Sequence, residues 1–191
     1  MNSSQLKQLI EAALFAYQQP LSAEQIKERL LTEQDVSLNA IKKALTELSS
    51  DYRERGVVLA KVASGYRFQT REELGRMLAN LWQEKPPRYS QALLETLALI
   101  VYRQPITRGE IEKVRGVSVS SQIMKTLQER GWIKVIGVKE VPGRPQLYGT
   151  TAEFLDDFNL SDLQQLPAIE PSSTPERTAE TATNEREILN D

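Results

Sequence analysis

The chain has 191 residues, of which 40% are apolar, and a formal net charge of −2. It contains no cysteine and no histidine, which excludes disulfides, thiolate metal sites, cysteine nucleophiles and imidazole bases or ligands. Residues 1–83 and 84–166 each carry 11 basic and 10 acidic side chains, whereas residues 167–191 carry 2 basic and 6 acidic ones. The body of the protein therefore lacks the basic surplus that is typical of proteins bound to nucleic acid through phosphate contacts.

Apolar residues at helical spacing predict a first helix over residues 3–17. Ser22 and Gln25 form a capping box that predicts the start of a second, short helix. A third helix is expected to begin at Ser37 and to end near Gly56 in a left-handed cap. The N-terminal part of the chain is therefore predicted to start with three helices.

The apolar period changes to two across residues 58–70, around a Ser64-Gly65 turn, which predicts a two-stranded hairpin. Three helices followed by a projecting hairpin form the winged-helix variant of the helix-turn-helix. Thr70 and Glu73 then resemble a second capping box, and we expect a further amphipathic helix to follow it up to Leu81.

Residues 16–22 recur with nearly the same sequence pattern at residues 101–107, and each copy closes one apolar helix and opens another. A spacing of eighty-five residues is too long for a solenoid repeat, so the pattern predicts two homologous small domains. The helix before the second copy, residues 90–103, is apolar around most of its circumference. It is expected to be buried either between the two domains or beneath a partner.

The second copy continues with a capping box at Thr107 and Glu110, a helix that Gly116 ends, and a third helix that Gly131 ends. Residues 132–136 and 146–149 are predicted strands, joined by a long wing, and Thr150 begins a last short helix. The predicted fold is mainly α with small β-hairpins (α+β), as tandem winged-helix domains. Its expected divisions are residues 1–83, a Pro-rich linker at 84–89, residues 90–166, and a disordered acidic tail at 167–191.

No motif predicts an enzyme, a cofactor or a metal site. The adjacent carboxylates Glu72-Glu73 and Asp156-Asp157 are expected in the first turns of helices, where negative charge favours the helix dipole. Ser120-Ser121 has no base beside it to activate a nucleophile. Since the chain also has no leader pattern and no apolar run long enough to span a membrane, we expect a cytoplasmic protein without membrane contact.

Both predicted third helices carry acidic as well as basic side chains: Lys42 and Lys43 with Glu47 and Asp51 on the first, and Lys125 and Arg130 around Glu129 on the second. Neither presents a basic stripe, so direct DNA contact is expected to be weak or absent. Arg144 lies between Gly143 and Pro145, whose backbone restrictions would fix the direction of its guanidinium group. That group would bind either a carboxylate of a partner or a glutamate of its own domain. Arg103 and Arg108, beside the second cap, would extend the same electropositive edge.

These motifs resemble the segregation and condensation protein B family. The resemblance covers about residues 5–166 and is carried by residues 10–16, 20–22, 102–111, 115–117, 141–145, 147–151 and 154–155.

The resemblance implies a non-enzymatic accessory subunit of the bacterial condensin complex, cytoplasmic and associated with the nucleoid, which acts in chromosome condensation and segregation during cell division. It implies a homodimer formed largely through the first domain. It also implies binding to the kleisin subunit (segregation and condensation protein A), and through it to the structural-maintenance-of-chromosomes ATPase. The residues expected on the kleisin-facing surface are Arg103, Gln104, Arg108, Arg144 and Tyr148. The alternative is a tandem winged-helix transcription regulator that binds DNA directly.

Overall fold

The computed structural model describes residues 1–81 and 88–168, so most of the predicted linker at 84–89 and of the predicted acidic tail at 167–191 lies outside the described residues. Its first three helices are α1 (Ser3–Ala16), α2 (Ala23–Leu30) and α3 (Leu38–Asp51). The capping box at the start of α2 is confirmed, because the Ser22 side chain accepts from the N–H of Gln25 and the Gln25 side chain accepts from the N–H of Ser22. The prediction for the end of the third helix is wrong: α3 ends at Asp51, with Tyr52 as its C-cap.

The first hairpin consists of β1 (Val57–Val62) and β2 (Gly65–Thr70), which pair in antiparallel register. A single residue between α1 and α2, Leu21, adds to this hairpin by forming an isolated bridge with Tyr66. Gly65 allows this close approach, since a Cβ atom there would lie 2.2 Å from the carbonyl carbon of Leu21. The hairpin is therefore fastened to the start of α2 and forms the wing of a winged helix.

The segment after the first wing is less regular than expected. It forms a 3-10 turn (Glu72–Leu74), one turn of α-helix, α4 (Gly75–Leu78), and a second 3-10 turn (Ala79–Leu81). The predicted capping box at Thr70 is wrong, because Arg71 is the residue at the cap and it makes no capping hydrogen bond. Met77 and Leu81 are exposed by 66% and 73%, so the apolar stripe of this segment lies largely on the surface.

The second domain repeats the first. Its helices are α5 (Gln91–Arg103), α6 (Arg108–Arg115), α7 (Ser121–Glu129) and α8 (Ala152–Asp157), followed by a 3-10 turn (Leu163–Gln165). Ser90 caps α5, and Thr107 with Glu110 forms the expected capping box of α6. Gly116 ends α6 in the left-handed conformation, with φ of 70°, as predicted.

The second wing belongs to a three-stranded antiparallel sheet whose order is β3 (Ile106–Thr107), β5 (Gln146–Thr150), β4 (Ile133–Val138). Ile106 pairs with Tyr148, which is the counterpart of the bridge between Leu21 and Tyr66 in the first domain. A bulge at Ile136 interrupts the register between β4 and β5. The tandem winged-helix fold, mainly α with small hairpins, is confirmed.

Each domain has its own apolar core within the described residues. The first is built around Ile10, Ile41 and Leu45, and the second around Ile100, Ile111 and Leu127, all with no exposed surface. The part of α5 that faces the second core is buried, but Leu94 and Tyr102 are exposed by 45% and 38%. The apolar surface of α5 is therefore only partly covered by its own domain.

Asp156 and Asp157 lie in the last turn of α8 and not in its first turn, so the capping role expected for them is wrong. Asp157 accepts from Nε1 of Trp132 at 2.8 Å. Asp156 accepts through Oδ1 from the N–H of Ser64, in the turn of the first wing, at 3.0 Å. A carboxylate at a C-terminal helix end is disfavoured by the helix dipole, and these donors compensate for it.

Replacement of Gly65 by alanine should destabilise the first domain by about 1–3 kcal/mol, because its φ of 145° is strained for any other residue and its Cβ would collide with the backbone at Leu21. Gly109→Ala is the matched control, since no atom lies within 4 Å of the added Cβ. Urea unfolding followed by circular dichroism measures the stability of both variants. Equal midpoints for the two variants would contradict the close approach of the wing to Leu21.

Candidate partner-binding surface

Gln104 joins the end of α5 to the last strand of the second sheet. Its side-chain oxygen accepts from the N–H of Thr150 at 2.8 Å, and its Nε2 donates to Oγ1 of Thr150 at 3.0 Å. The neighbouring residue Gly149 leaves room for this contact, because a Cβ there would lie 2.9 Å from Oε1 of Gln104 and from Cδ1 of Ile136. Gln104 thus supports the corner of the surface predicted to bind a partner.

Arg108, the first residue of α6, connects this helix to the loop before α7. Its Nε donates to Oε1 of Glu112 at 3.1 Å, and its terminal nitrogens donate to the carbonyl of Val119 and the hydroxyl of Ser121. The pKa of Glu112 is lowered, chiefly because the backbone N–H of Val119 donates to it, with a further contribution from Arg108. The guanidinium of Arg108 is therefore already held by its own domain.

Glu110 connects the start of α6 to the second wing. One of its oxygens accepts from the N–H and the hydroxyl of Thr107, at 2.9 and 2.8 Å, and the other accepts from Nζ of Lys139. The Lys139 hydrogen bond, followed by those from Thr107, lowers the pKa of Glu110 to about 2. This carboxylate sets the position of the wing relative to the helices.

Arg144 lies near the tip of the second wing, in a turn that its own N–H closes by donating to the carbonyl of Val141. It has a positive φ of 38°, and the preceding Gly143 has a φ of 85°. Its guanidinium pairs with Glu140 at 3.1 Å, and the two side chains are 69% and 80% exposed. An exposed pair of this kind contributes little to stability, so Arg144 can exchange Glu140 for a carboxylate of another molecule.

Tyr148 and Arg103 complete the predicted set. Tyr148 is half-buried against the second core, and its hydroxyl donates to Oε1 of Gln146 at 2.9 Å. Arg103 is exposed at the end of α5. The structure thus brings Arg103, Gln104, Arg108 and Tyr148 to the corner around β3, whereas Arg144 lies away from them along the wing.

Four apolar side chains of the second wing were missed by the sequence reasoning. They are exposed by 40–47%, and they are Val135, Ile136, Val138 and Val141. The signal was present, because residues 135, 136 and 138 in this strand are all apolar, whereas a strand with one buried face alternates. An apolar wing beside two exposed arginines has the composition of a protein interface.

The first domain carries a separate apolar surface along α1. Leu9, Phe15 and Tyr17 are exposed by 36%, 53% and 41%. Near the end of α1, a cleft of about 290 Å³ opens between α1 and α2, with Tyr17, Ile26 and Leu30 among the residues that line it. Both domains therefore expose apolar side chains of the kind that mark interaction sites on protein surfaces.

The third helix of each domain carries a lysine that lies near a carboxylate. On α3, Lys42 lies 3.9 Å from Glu24, and on α7, Lys125 lies 3.6 Å from Glu129. Within residues 1–81 and 88–168, no group of acidic side chains is placed to hold a metal ion. Nor does the described part of the chain contain a helix with the length and apolar character needed to cross a membrane.

Comparison with known proteins links both domains to one family. The family model described as "Segregation and condensation complex subunit ScpB" matches residues 8–169. A segregation and condensation protein B homolog of Coxiella burnetii is 58% identical over 164 residues, which cover 86% of this chain and 78% of the relative. The segregation and condensation protein B of Symbiobacterium thermophilum is 46% identical over 167 residues, covering 86% and 74%.

Two solved structures are also similar. The crystal structure of ScpB from Mycobacterium tuberculosis is 29% identical, covers 83% of this chain and 97% of its own, and has a TM-score of 0.39. A crystal structure of a dimer of the ScpB N-terminal domain complexed with ScpA peptide is 32% identical, covers 41% of this chain and 96% of its own, and has a TM-score of 0.37. Both superpositions are too weak to bear on the fold.

The Glu110 contacts predict a defined pH dependence. Because the folded pKa of about 2 lies below the ordinary value of 4.5, ionised Glu110 stabilises the fold above pH 4.5, and this contribution is lost as the pH falls through about 2. We therefore expect Glu110→Gln to lower the unfolding midpoint at pH 6, and its deficit to shrink steadily below pH 4.5. Thermal unfolding of the wild type and of the variant across this pH range measures the difference between their midpoints.

Glu140→Gln is the matched control, because Glu140 also pairs with a basic residue of the second wing but is 80% exposed. It should change the midpoint little at any pH. A deficit of Glu110→Gln that stayed constant from neutral pH to pH 2 would contradict the role assigned to the ionised carboxylate.

Proposed function

Because the chain belongs to the segregation and condensation protein B family, whose model matches residues 8–169, we propose that it is a non-enzymatic accessory subunit of the bacterial condensin complex. It acts in the cytoplasm, on the nucleoid, in chromosome condensation and segregation. The observation that carries this proposal is the extent of the match. The match covers both winged helices. A match to only one helix-turn-helix motif would say little, because many unrelated proteins share that motif.

In this proposal the first domain, residues 1–83, forms a homodimer. The exposed apolar side chains of α1 and of the segment around α4 support this role, because monomers seldom leave large apolar patches uncovered. Met77 and Leu81 are the most exposed of them. A second copy of the chain would bury them.

The second domain, residues 90–166, binds the kleisin subunit, and through it the SMC ATPase. Arg103 and Arg144 are exposed at the two ends of the surface, and the apolar side chains of the second wing lie beside them. Arginines beside apolar anchors are enriched where protein interfaces gain most of their energy. In this arrangement Gln104, Arg108 and Tyr148 support the surface from beneath and contribute their remaining exposed edges to the contact.

The competing function is that of a DNA-binding regulator with two winged helices. The fold alone favours it, but the charges of the third helices do not, since Lys42 and Lys125 each lie beside a glutamate. In addition, the turn of the first wing is hydrogen-bonded to the second domain, which removes it from the surface that a wing uses to contact a groove.

The proposal predicts a stable complex without DNA. When the full chain is mixed with the kleisin of the same cell at physiological salt, we expect one species in which the dimer embraces a single kleisin segment, with two copies of this chain per kleisin. Size-exclusion chromatography with light scattering gives its mass. Separate elution of the two proteins, together with duplex DNA binding that weakens steeply with salt, would favour the regulator.

Replacement of Arg144 by alanine should weaken kleisin binding at least about tenfold, because a charged hydrogen bond in an interface is lost. Isothermal titration calorimetry measures the affinity. Lys125→Ala is the matched control, since Lys125 is 68% exposed and also pairs with a glutamate four residues away. If the two variants bind equally well while the wild type forms the complex, the kleisin lies elsewhere on the domain.

A further inference from the structure

The turn of the first wing is in contact with the end of α8 in the second domain. The N–H of Ala63 donates to the carbonyl of Leu160 at 3.0 Å, and the N–H of Ser64 donates to Oδ1 of Asp156 at 3.0 Å. From the next strand, Arg67 donates through one terminal nitrogen to the carbonyl of Asp156 at 2.7 Å and to Oδ1 of Asn159 at 2.8 Å. These four hydrogen bonds join residues about ninety positions apart.

The contact adds donors from the first domain to the C-terminal end of α8. The last carbonyls of a helix have no partner within that helix, and Arg67 supplies a cationic donor to that end of α8, where the helix dipole favours positive charge. Asn159 holds a left-handed conformation, with φ of 57°, which directs the chain from α8 back toward the first wing. The first domain therefore caps a helix of the second.

Both sides of the contact are anchored in their own domains. On one side, Leu21 bridges to Tyr66 of the wing, and Phe68 stacks on Phe15 of α1 with ring centroids 4.1 Å apart. On the other side, Phe154 of α8 is buried in the second core, and Asp157 accepts from Trp132. A hydrogen-bonded contact between two anchored elements fixes the orientation of the domains that carry them.

No other strong connection between the domains is seen within residues 1–81 and 88–168. The two apolar cores share no residue. Val62, just before the turn, is only 1% exposed although it belongs to neither core, as expected if the junction covers it. Since domains joined without a shared apolar core move relative to each other by default, their relative orientation depends on this polar junction.

We propose that the first wing is an intramolecular latch: Arg67 and the Ala63–Ser64 turn hold the end of α8 and fix the two winged helices in one orientation. The latch uses the first wing within the chain and leaves only the second wing available to partners. This proposal does not depend on the identity of the partner, so it can be tested separately from the function proposed above.

The chain has no cysteine, so the latch can be tested with two spin labels on introduced thiols. Ser49→Cys on α3 and Gln128→Cys on α7 place the labels at exposed positions of the two domains. Double electron–electron resonance on the full chain, diluted with unlabelled protein to suppress distances between molecules, should give one narrow distance. Arg67→Ala should abolish that narrow peak.

Two further variants separate the latch from general effects. Asp156→Asn keeps the side-chain oxygen that accepts from Ser64 and should keep the narrow peak. Arg71→Ala removes an arginine at the base of the same wing whose side chain donates to Arg53 and Glu73 of its own domain, and it should also keep the peak. Circular dichroism should show that both domains of Arg67→Ala remain folded.

Three results would overturn the proposal. The first is a narrow peak at the same distance in Arg67→Ala, and the second is a broad distribution in the wild type. The third is a narrow peak that disappears on dilution with unlabelled chain, because it would mean that the wing holds α8 of a second copy and not its own.

Discussion

The fold depends on one short pairing that occurs twice. In each domain, the residue after a proline, Leu21 or Ile106, pairs with a tyrosine of the wing, and the next residue caps the second helix. A single bridge thus holds three parts in place: the end of the first helix, the start of the second and the hairpin. In the second domain, hydrogen bonds between Gln104 and Thr150 and between Lys139 and Glu110 reinforce this attachment of the wing to the helices. The surfaces discussed above all take their positions from this corner.

Local sequence signals predict much of this architecture. The capping boxes, the left-handed Gly116 and the change of apolar period at each wing depend on neighbouring residues, so the sequence predicts them well. The errors have the same origin. The sequence predicts Asp156 and Asp157 in a first helical turn, because nothing near them in the chain shows their real donors. Asp156 accepts from Ser64 and Asp157 accepts from Trp132, both of which are distant in sequence. The contact from Arg67 has no sequence signal at all, since one arginine on a strand is ordinary.

The candidate surface was predictable to a similar extent. A motif match assigns five residues to one surface, but it does not distinguish a side chain that supports the surface from one that is offered to a partner. The structure makes this distinction by hydrogen bonding: Gln104 and Arg108 are engaged with their own domain, whereas Arg144 has only an exposed glutamate. To predict that the valines of the second wing are exposed, one must know which face of the strand the core covers. That knowledge comes only from the sheet register.

The separation of the two apolar cores also bears on how the chain folds during its synthesis. All residues of the first core precede residue 69, so that domain can be completed while the rest of the chain is still being made. The junction with α8, in contrast, requires residues 156–160, which are synthesised about ninety residues later. We therefore expect the two domains to fold as units in order along the chain, with their mutual orientation formed last.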